Sequence, residues 1–101
     1  MILVYITCRD KIEARKIAMH LLKERLIACA NIFPIESMYW WKGAIEKGKE
    51  TVLIGKTQEK HYAQIKKSVE QMYSHKTICV MKINADANDE FSRWITNETK
   101  T

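Results

Sequence analysis

Two amphipathic helical segments, separated by strand-like segments, constrain this chain more than any other feature of its sequence. For the first of these segments we predict a helix over roughly residues 11–25. Asp10 and Glu13 form a capping-box-like pair at its start. Its apolar stripe consists of Ala14, Ile17, Ala18, Leu21 and Leu22. The spacing of a second stripe predicts another helix, capped near Thr57. That stripe consists of Tyr62, Ile65, Val69 and Met72.

The segments between and beside these helices have the composition of strands. They are residues 2–7, 27–41, 50–56 and 77–83. Because proline cannot donate a ladder hydrogen bond, Pro34 predicts that the second strand bulges or lies at a sheet edge. The second and third strands predict a long antiparallel hairpin, in which Gly43 and Gly48 bracket a polar connection.

The resulting order is β-α-β-β-α-β, followed by a short helix that Asn88 caps and that carries Phe91, Trp94 and Ile95. This order predicts an α+β, ferredoxin-like fold in which two helices cover one face of a four-stranded antiparallel sheet. The length allows a single domain over residues 1–101. The other sheet face is left uncovered, and the hairpin carries an aromatic run that suggests self-association. That run is Tyr39, Trp40 and Trp41.

The charge and cysteine content restrict the partners and the location. Seventeen basic and twelve acidic side chains give a formal net charge of +5, which favours anionic partners. The lysines are spread from Lys11 to Lys100, whereas nucleic-acid binding needs them on one face, so we predict no nucleic-acid partner. The apolar run at residues 2–6 is too short to cross a bilayer, so we predict no membrane partner. Three cysteines and no export signal predict reduced thiols and a cytoplasmic location.

The predicted fold serves many functions, and particular residues disfavour several of them. An RNA-recognition module needs aromatic side chains on its third strand, and the strand from Glu50 to Thr57 has none. A copper chaperone of this fold needs a C-x-x-C motif, but Cys8 is followed by Arg9-Asp10-Lys11. The glycines are too far apart for a phosphate loop. We therefore predict no catalytic residue and no required cofactor.

A soft-metal site is the remaining chemistry, since thiols, thioethers and imidazoles select ions such as Cu(I). The candidate ligands are Cys8, Cys29, Met72 and His75. Their spacing is not that of a tight motif, so such a site would be assembled across subunits. The alternative is structural for each of them. On that alternative the cysteines, Cys79 included, are small core hydrophobes, Met72 continues the core stripe, and His20 and His61 are solvated on polar helix faces.

Several segments together resemble the CutA divalent-ion tolerance proteins, over roughly residues 2–97. They are the stretches from Leu22 to Asn31 and from Ser37 to Gly43, the pair Lys56-Thr57 and the pair Trp94-Ile95. The resemblance implies a homotrimer in which the hairpins join three sheets edge to edge, an architecture similar to that of the PII signalling proteins. It also implies tolerance and binding of copper and other divalent cations, with no assigned reaction.

The chain departs from that family at the turn before the last core strand. The family usually has a His-Pro-Tyr-like turn there, followed by a further proline. Here the stretch from Met72 to Ile78 contains neither proline, and its histidine is His75. A metal-binding role of the family's turn histidine would therefore be lost or moved to His75.

The residues and the resemblance support three hypotheses. The first is a non-enzymatic trimeric protein that binds copper-like ions through Cys29, with Cys8, Met72 or His75. The second is a PII-like sensor of a small anion in intersubunit clefts, where Lys56 and Thr57 supply hydrogen-bond donors. The third is a trimeric scaffold for a protein partner, with the tryptophans Trp40 and Trp41 as interface anchors.

Overall fold

The elements occur in the predicted order. A computed structural model of the chain describes residues 1–73 and 78–100. Its strands are β1 (Ile2–Cys8), β2 (Cys29–Trp41), β3 (Ala44–Thr57) and β4 (Val80–Asn84). Its α-helices are α1 (Lys11–Lys23), α2 (Tyr62–Met72) and α3 (Asp89–Glu98), and a short 3-10 turn at Glu59–His61 leads into α2. This α+β arrangement confirms the β-α-β-β-α-β order with an additional C-terminal helix.

The four strands form one antiparallel sheet in the order β2-β3-β1-β4. β1 pairs with β3 from Ile2 opposite Thr57 to Cys8 opposite Thr51, and with β4 on its other side. β3 continues past β1 and pairs with β2 along the whole length of the hairpin. β2 and β4 are therefore the edge strands, and the central pair β1–β3 holds most of the buried sheet surface.

The N-terminus of α1 is capped as the sequence predicts. The Asp10 carboxylate accepts a hydrogen bond from the Glu13 backbone N–H at 2.8 Å, and this bond lowers the pKa of Asp10. The Glu13 carboxylate in turn accepts from the Arg9 backbone N–H at 2.8 Å. These two bonds satisfy donors that a helix start otherwise leaves unpaired.

α1 and α2 pack side by side on one face of the sheet and enclose the core. Burial alternates strictly along β1, so that every second side chain points under the helices. The core side chains of the central strands are Ile2, Val4, Ile6, Cys8 and Leu53, and those of the two helices are Ala14, Ile17, Ala18, Leu21, Ile65 and Val69. The predicted stripes of both helices are thus the buried ones.

The hairpin is longer and its turn tighter than the sequence suggested. Lys42 and Gly43 both have positive φ, 49° and 81°, as the two central residues of a type I′ turn require. The residues between Gly43 and Gly48, predicted as a polar connection, belong to β3 instead, because the two-residue turn lets pairing begin at once. Pro34 lies opposite Thr51 in an uninterrupted register, so the edge position is confirmed and no bulge forms.

Several predicted boundaries differ from the structure. α1 ends at Lys23 rather than near residue 25, and β2 begins at Cys29 rather than at residue 27. Thr57 does not cap α2; it is the last residue of β3, because its backbone pairs with Ile2. Gln58 precedes the 3-10 turn instead. β4 begins at Val80 rather than at residue 77, and residues 74–77 lie outside the described part of the chain.

The close approach of Ile27 to Gly55 gives the first prediction. A Cβ on Gly55 would lie 2.9 Å from Ile27 Cγ2, inside the buried core. We expect Gly55→Ala to lower the free energy of unfolding by about 1–3 kcal/mol, as overpacking does. Urea unfolding at one fixed protein concentration measures this change.

Gly48→Ala is the matched control, because the nearest atom to its Cβ would be Tyr39 Oη at 3.9 Å. We expect that variant to stay within about 0.5 kcal/mol of the parent chain. Equal effects of the two substitutions would contradict the proposed contact with Ile27.

Candidate functional site

The sheet has one face under α1 and α2, and its other face is covered only in part, because Val52 is fully buried there and the Phe91 ring of α3 lies near Lys56. On β2, Ala30 and Ile32 pack against the core, so their neighbours Cys29 and Asn31 point to the other side. On β4, Val80 packs against the core, and Met81 points the other way. We refer to this second side as the open face. Its members on the four strands include Leu3, Tyr5, Cys29, Asn31, Ile54, Lys56, Met81 and Ile83.

Cys8 lies on the helix side and is fully buried. Burial, followed by the nearby carboxylates of Glu13 and Asp10, raises the pKa of its thiol from 9.0 to about 12. A metal ligand or nucleophile must be the thiolate, so this environment opposes both roles. The structural alternative, a small core hydrophobe, describes the observed surroundings of Cys8.

Cys29 is the partly exposed thiol of the open face, at the start of β2. It lies opposite Lys56 of β3, whereas Cys8 lies opposite Thr51 of the same strand. Thr51 and Lys56 are five residues apart on β3, so the Cys8 and Cys29 positions are separated by about 17 Å along the strand. Because five is an odd number, the two thiols also lie on opposite faces of the sheet. One subunit therefore does not bring Cys8 and Cys29 to the same ion.

The other candidate ligands do not join Cys29 either. Met72 is partly buried against the core at the end of α2, as its position in the stripe predicted. Cys79 accepts a backbone hydrogen bond from Thr7 at 3.2 Å, which puts it near the Cys8 end of the sheet. His75 lies outside the described residues. Within residues 1–73 and 78–100, no three His, Cys, Asp or Glu side chains form a group that could hold a metal ion.

Lys56 and Thr57, the predicted anion donors, are on opposite faces of β3 because they are consecutive residues of a strand. The Lys56 ammonium lies 5.5 Å from the centre of the Phe91 ring, on the open side. The Thr57 side chain is fully buried on the helix side, and its hydroxyl has no hydrogen-bond partner among the described residues. The two side chains therefore do not form one donor pair within a subunit.

His61 was predicted to be solvated, and this prediction is wrong, because only 6% of its surface is exposed. Its Nε2–H donates to the Thr99 carbonyl at 2.7 Å, and Gln58 donates to the Thr99 hydroxyl at 2.9 Å. These bonds attach the end of α3 to the turn before α2. The signal was present in the sequence, since His61 precedes the core residue Ile65 by four positions and thus continues the buried stripe.

The hairpin and the open face expose large apolar side chains. Trp40 is 73% exposed, and Trp41 is 42% exposed with the Lys42 ammonium 5.9 Å from its ring centre. The exposed set on the hairpin is Phe33, Met38, Tyr39, Trp40, Trp41 and Ile45, and that on β4 is Met81 and Ile83. The hairpin carries them away from the core, and the molecule is 45 Å long but only 26 and 21 Å across.

None of the described helices is long and apolar enough to span a bilayer. The topology and the open face define a small α+β domain with a projecting apolar hairpin.

Comparison with known proteins identifies its relatives. The family model described as CutA1 divalent ion tolerance protein matches residues 2–98. The chain belongs to this family, which confirms the resemblance seen in its sequence.

Individual relatives agree along nearly the whole chain. The divalent-cation tolerance protein CutA of Archaeoglobus fulgidus is 41% identical over 93 residues, with 91% of each chain covered. That of Pyrococcus horikoshii is 39% identical over 101 residues, with 99% of each covered. A solved structure of the periplasmic divalent cation tolerance protein CutA from A. fulgidus has a TM-score of 0.95 at 38% identity, covering 99% of this chain and 100% of that one. These names describe tolerance to cations rather than a reaction.

The raised pKa of Cys8 predicts a pH-dependent stability. The thiol is protonated in the folded chain up to about pH 12 but ionises near pH 9.0 once exposed. Its contribution is therefore fully present below pH 9.0 and is lost as the pH rises towards 12, by up to about 1.4 kcal/mol per pH unit. We expect the stability difference between the parent chain and Cys8→Ala to shrink in this window, measured by urea unfolding.

Ile6→Val is the matched control, because it changes another core side chain of β1 without removing a titratable group. Its difference from the parent chain, about 0.5–1.5 kcal/mol, should stay constant across the same pH range. A Cys8→Ala difference that is equally constant would show that Cys8 ionises in the folded chain as it does in the unfolded one.

Proposed function

We propose that this chain is a non-enzymatic divalent cation tolerance protein that acts as a homotrimer and binds copper or a similar soft metal ion. Membership of the CutA1 family supports tolerance as the function. The observation that carries the metal proposal is the position of Cys29, a partly exposed thiol on the open face. Its solvent access distinguishes it from Cys8, which is buried and held protonated.

The trimer is proposed from the exposed apolar surface. A hairpin that presents Met38, Trp40 and Ile45 at 58% exposure or more is costly to leave in water, and burying each such side chain is worth about 1.5–3 kcal/mol. The edge strands β2 and β4 also leave backbone hydrogen-bonding groups unpaired within the subunit. Association through the hairpin and the open face would cover both, in an architecture similar to that of the PII proteins.

The metal site, on this proposal, is completed by a second subunit. The described part of one subunit gathers no group of three ligands, so Cys29 needs partners from elsewhere. Association through the open face would bring another subunit's side chains towards Cys29. His75 is the proposed imidazole ligand, whereas Met72 and Cys8, also candidates from the sequence, are disfavoured because both pack in the core of the chain.

A PII-like sensor of a small anion is the second candidate, and the half-buried Lys56 ammonium on the open face favours it. Lys56 lies across the hairpin from Cys29, so an anion and a metal ion would occupy the same region of the open face. Thr57 points to the other side and would contribute only its backbone. A scaffold that docks a protein partner through the hairpin is the third candidate.

A cytoplasmic location is also part of the proposal, because all three cysteines are free. Family membership leaves the compartment open, since the A. fulgidus structure is named periplasmic and a rice relative is named chloroplastic. Fractionation of cells that produce the full chain would test the location directly.

The proposed interface predicts a strong effect of Trp41→Ala. Large aromatic side chains at interface centres often contribute 2 kcal/mol or more, so we expect this variant to dissociate or to aggregate. Native mass spectrometry and sedimentation velocity on the purified chain would report the assembly. Met19→Ala on α1 is the matched control, because Met19 is 53% exposed on the side of the sheet away from the open face. A trimer that survives Trp41→Ala as it survives Met19→Ala would contradict this interface.

The metal proposal predicts tight Cu(I) binding that depends on Cys29. Reduced, metal-free protein would be titrated with Cu(I) against a competing chelator, with stoichiometry read by native mass spectrometry. Removing a direct ligand should weaken binding by more than the roughly 10–100-fold cost of an outer-shell partner. We therefore expect Cys29→Ser, alone or with His75→Ala, to abolish competition with the chelator.

Cys79→Ser is the control, since it removes a partly buried thiol near the other end of the sheet. A parent chain that takes no copper in competition would overturn the metal proposal. A melting temperature that rises with a small anion but not with copper would support the sensor instead.

A further inference from the structure

The outward surface of α1 and α2 collects much of the positive charge of the chain. The basic side chains that these helices expose are Lys11, Arg15, Lys16, Lys23, Lys66 and Lys67. The acidic side chains with substantial exposure in these helices and their caps are Glu24, Glu70 and Asp10, which pairs with Arg9. No ion pair joins any of the six basic side chains to another described residue. We call this region the basic helix surface. Lysines that are dispersed along the sequence are therefore gathered by the fold.

Two apolar side chains stand at the centre of this surface. Ile12 is 78% exposed and Met19 is 53% exposed. They are seven residues apart, two helical turns, and so lie on one line of α1. The buried stripe of α1, which includes Ile17 and Leu21, is on the opposite side. Core packing therefore does not account for the exposure of Ile12 and Met19 on the outward side of α1.

We infer that the basic helix surface docks on an anionic lipid surface, contrary to the sequence-based prediction of no membrane partner. Lys and Arg near a layer of anionic headgroups each contribute about 1 kcal/mol. Their long side chains can reach phosphates while their apolar stems and neighbouring apolar side chains enter the interface. Ile12 and Met19, placed between Arg15 and Lys16 on the outermost line of α1, have the arrangement that such an interface accommodates.

A nucleic acid fits this surface less well. Single-stranded nucleic acids are bound by aromatic side chains that stack on bases, and the outermost side chains here are an isoleucine and a methionine. The aromatic ring of Tyr62 on α2 is engaged within the chain: its hydroxyl donates to the Val80 carbonyl at 3.0 Å, and the ammonium groups of Lys66 and Lys82 lie 5.6 and 5.3 Å from the ring centre. Binding to a lipid surface gives Ile12 and Met19 a role, whereas binding to a nucleic acid would not.

The inference is independent of the trimer and of the metal site. The basic helix surface is on the far side of the sheet from the open face, with the core between them. An assembly built through the open face would therefore leave it in solvent. Failure of the copper or assembly experiments would not change the expectation for lipid binding. Failure of lipid binding would likewise leave the metal and trimer proposals unchanged.

Co-sedimentation of the full chain with vesicles tests the inference. We expect binding to vesicles of phosphatidylglycerol and phosphatidylcholine, little binding to phosphatidylcholine alone, and weaker binding as ionic strength rises. The double variant Arg15→Gln with Lys16→Gln should lower the affinity by about 30-fold, from the loss of two charges near the surface. Lys47→Gln with Lys49→Gln is the matched control, because it removes the same charge from exposed positions of the hairpin and should leave affinity unchanged.

The apolar pair separates a lipid surface from other polyanions. Ile12→Ser with Met19→Ser keeps every charge, so we expect it to weaken vesicle binding by tenfold or more and to leave retention on heparin unchanged. Thermal unfolding would verify that these exposed substitutions keep the fold. No binding to the anionic vesicles at low salt would overturn the inference. So would equal binding of the serine variant, or lysine-dependent binding to single-stranded RNA without vesicle binding.

Discussion

The alternation of side chains along β3 governs the chemistry of this domain. β3 pairs with β1 on one side and with β2 on the other, and every second residue points into the core. Leu53, Gly55 and Thr57 are buried on the helix side, and Lys56 between them points to the open face. A shift of the register by one residue would exchange the two sets, so the core and the candidate site depend on the same pairing.

This constraint separates residues that the sequence leaves as equal candidates. Cys8 and Cys29 are both thiols in predicted strands, and the sequence leaves both as candidate ligands although charged residues follow Cys8 and alanines flank Cys29. The pairing puts Cys8 in the core, where burial raises its pKa, and Cys29 on the open face, where it is partly exposed. Access to solvent thus decides between a structural and a binding role, and it is set by strands far apart in the chain.

The sequence predicted what depends on local periodicity and missed what depends on distant contacts. The stripe of α1 and the cap at Asp10 are local patterns, and both were correct. Thr57 looked like a helix cap because its neighbours are polar, but pairing with β1 keeps it in the strand. His61 looked solvated because it is polar, but a bond to Thr99, 38 residues away, satisfies its ring nitrogen in the interior. The register of a strand and the distant hydrogen-bond partner of a buried polar group require the partner strand or helix to be known.

The two sides of the sheet differ in chemistry, and this difference bears on how such a domain can act. The open face and hairpin are apolar, whereas the outward side of the helices is basic. Like charges across an association surface oppose assembly, so a net charge of +5 is least harmful when it lies away from that surface. The core between the two sides separates the basic side chains of the helices from the open face. A domain built in this way can associate through one side and meet an anionic surface with the other, without either contact displacing the other.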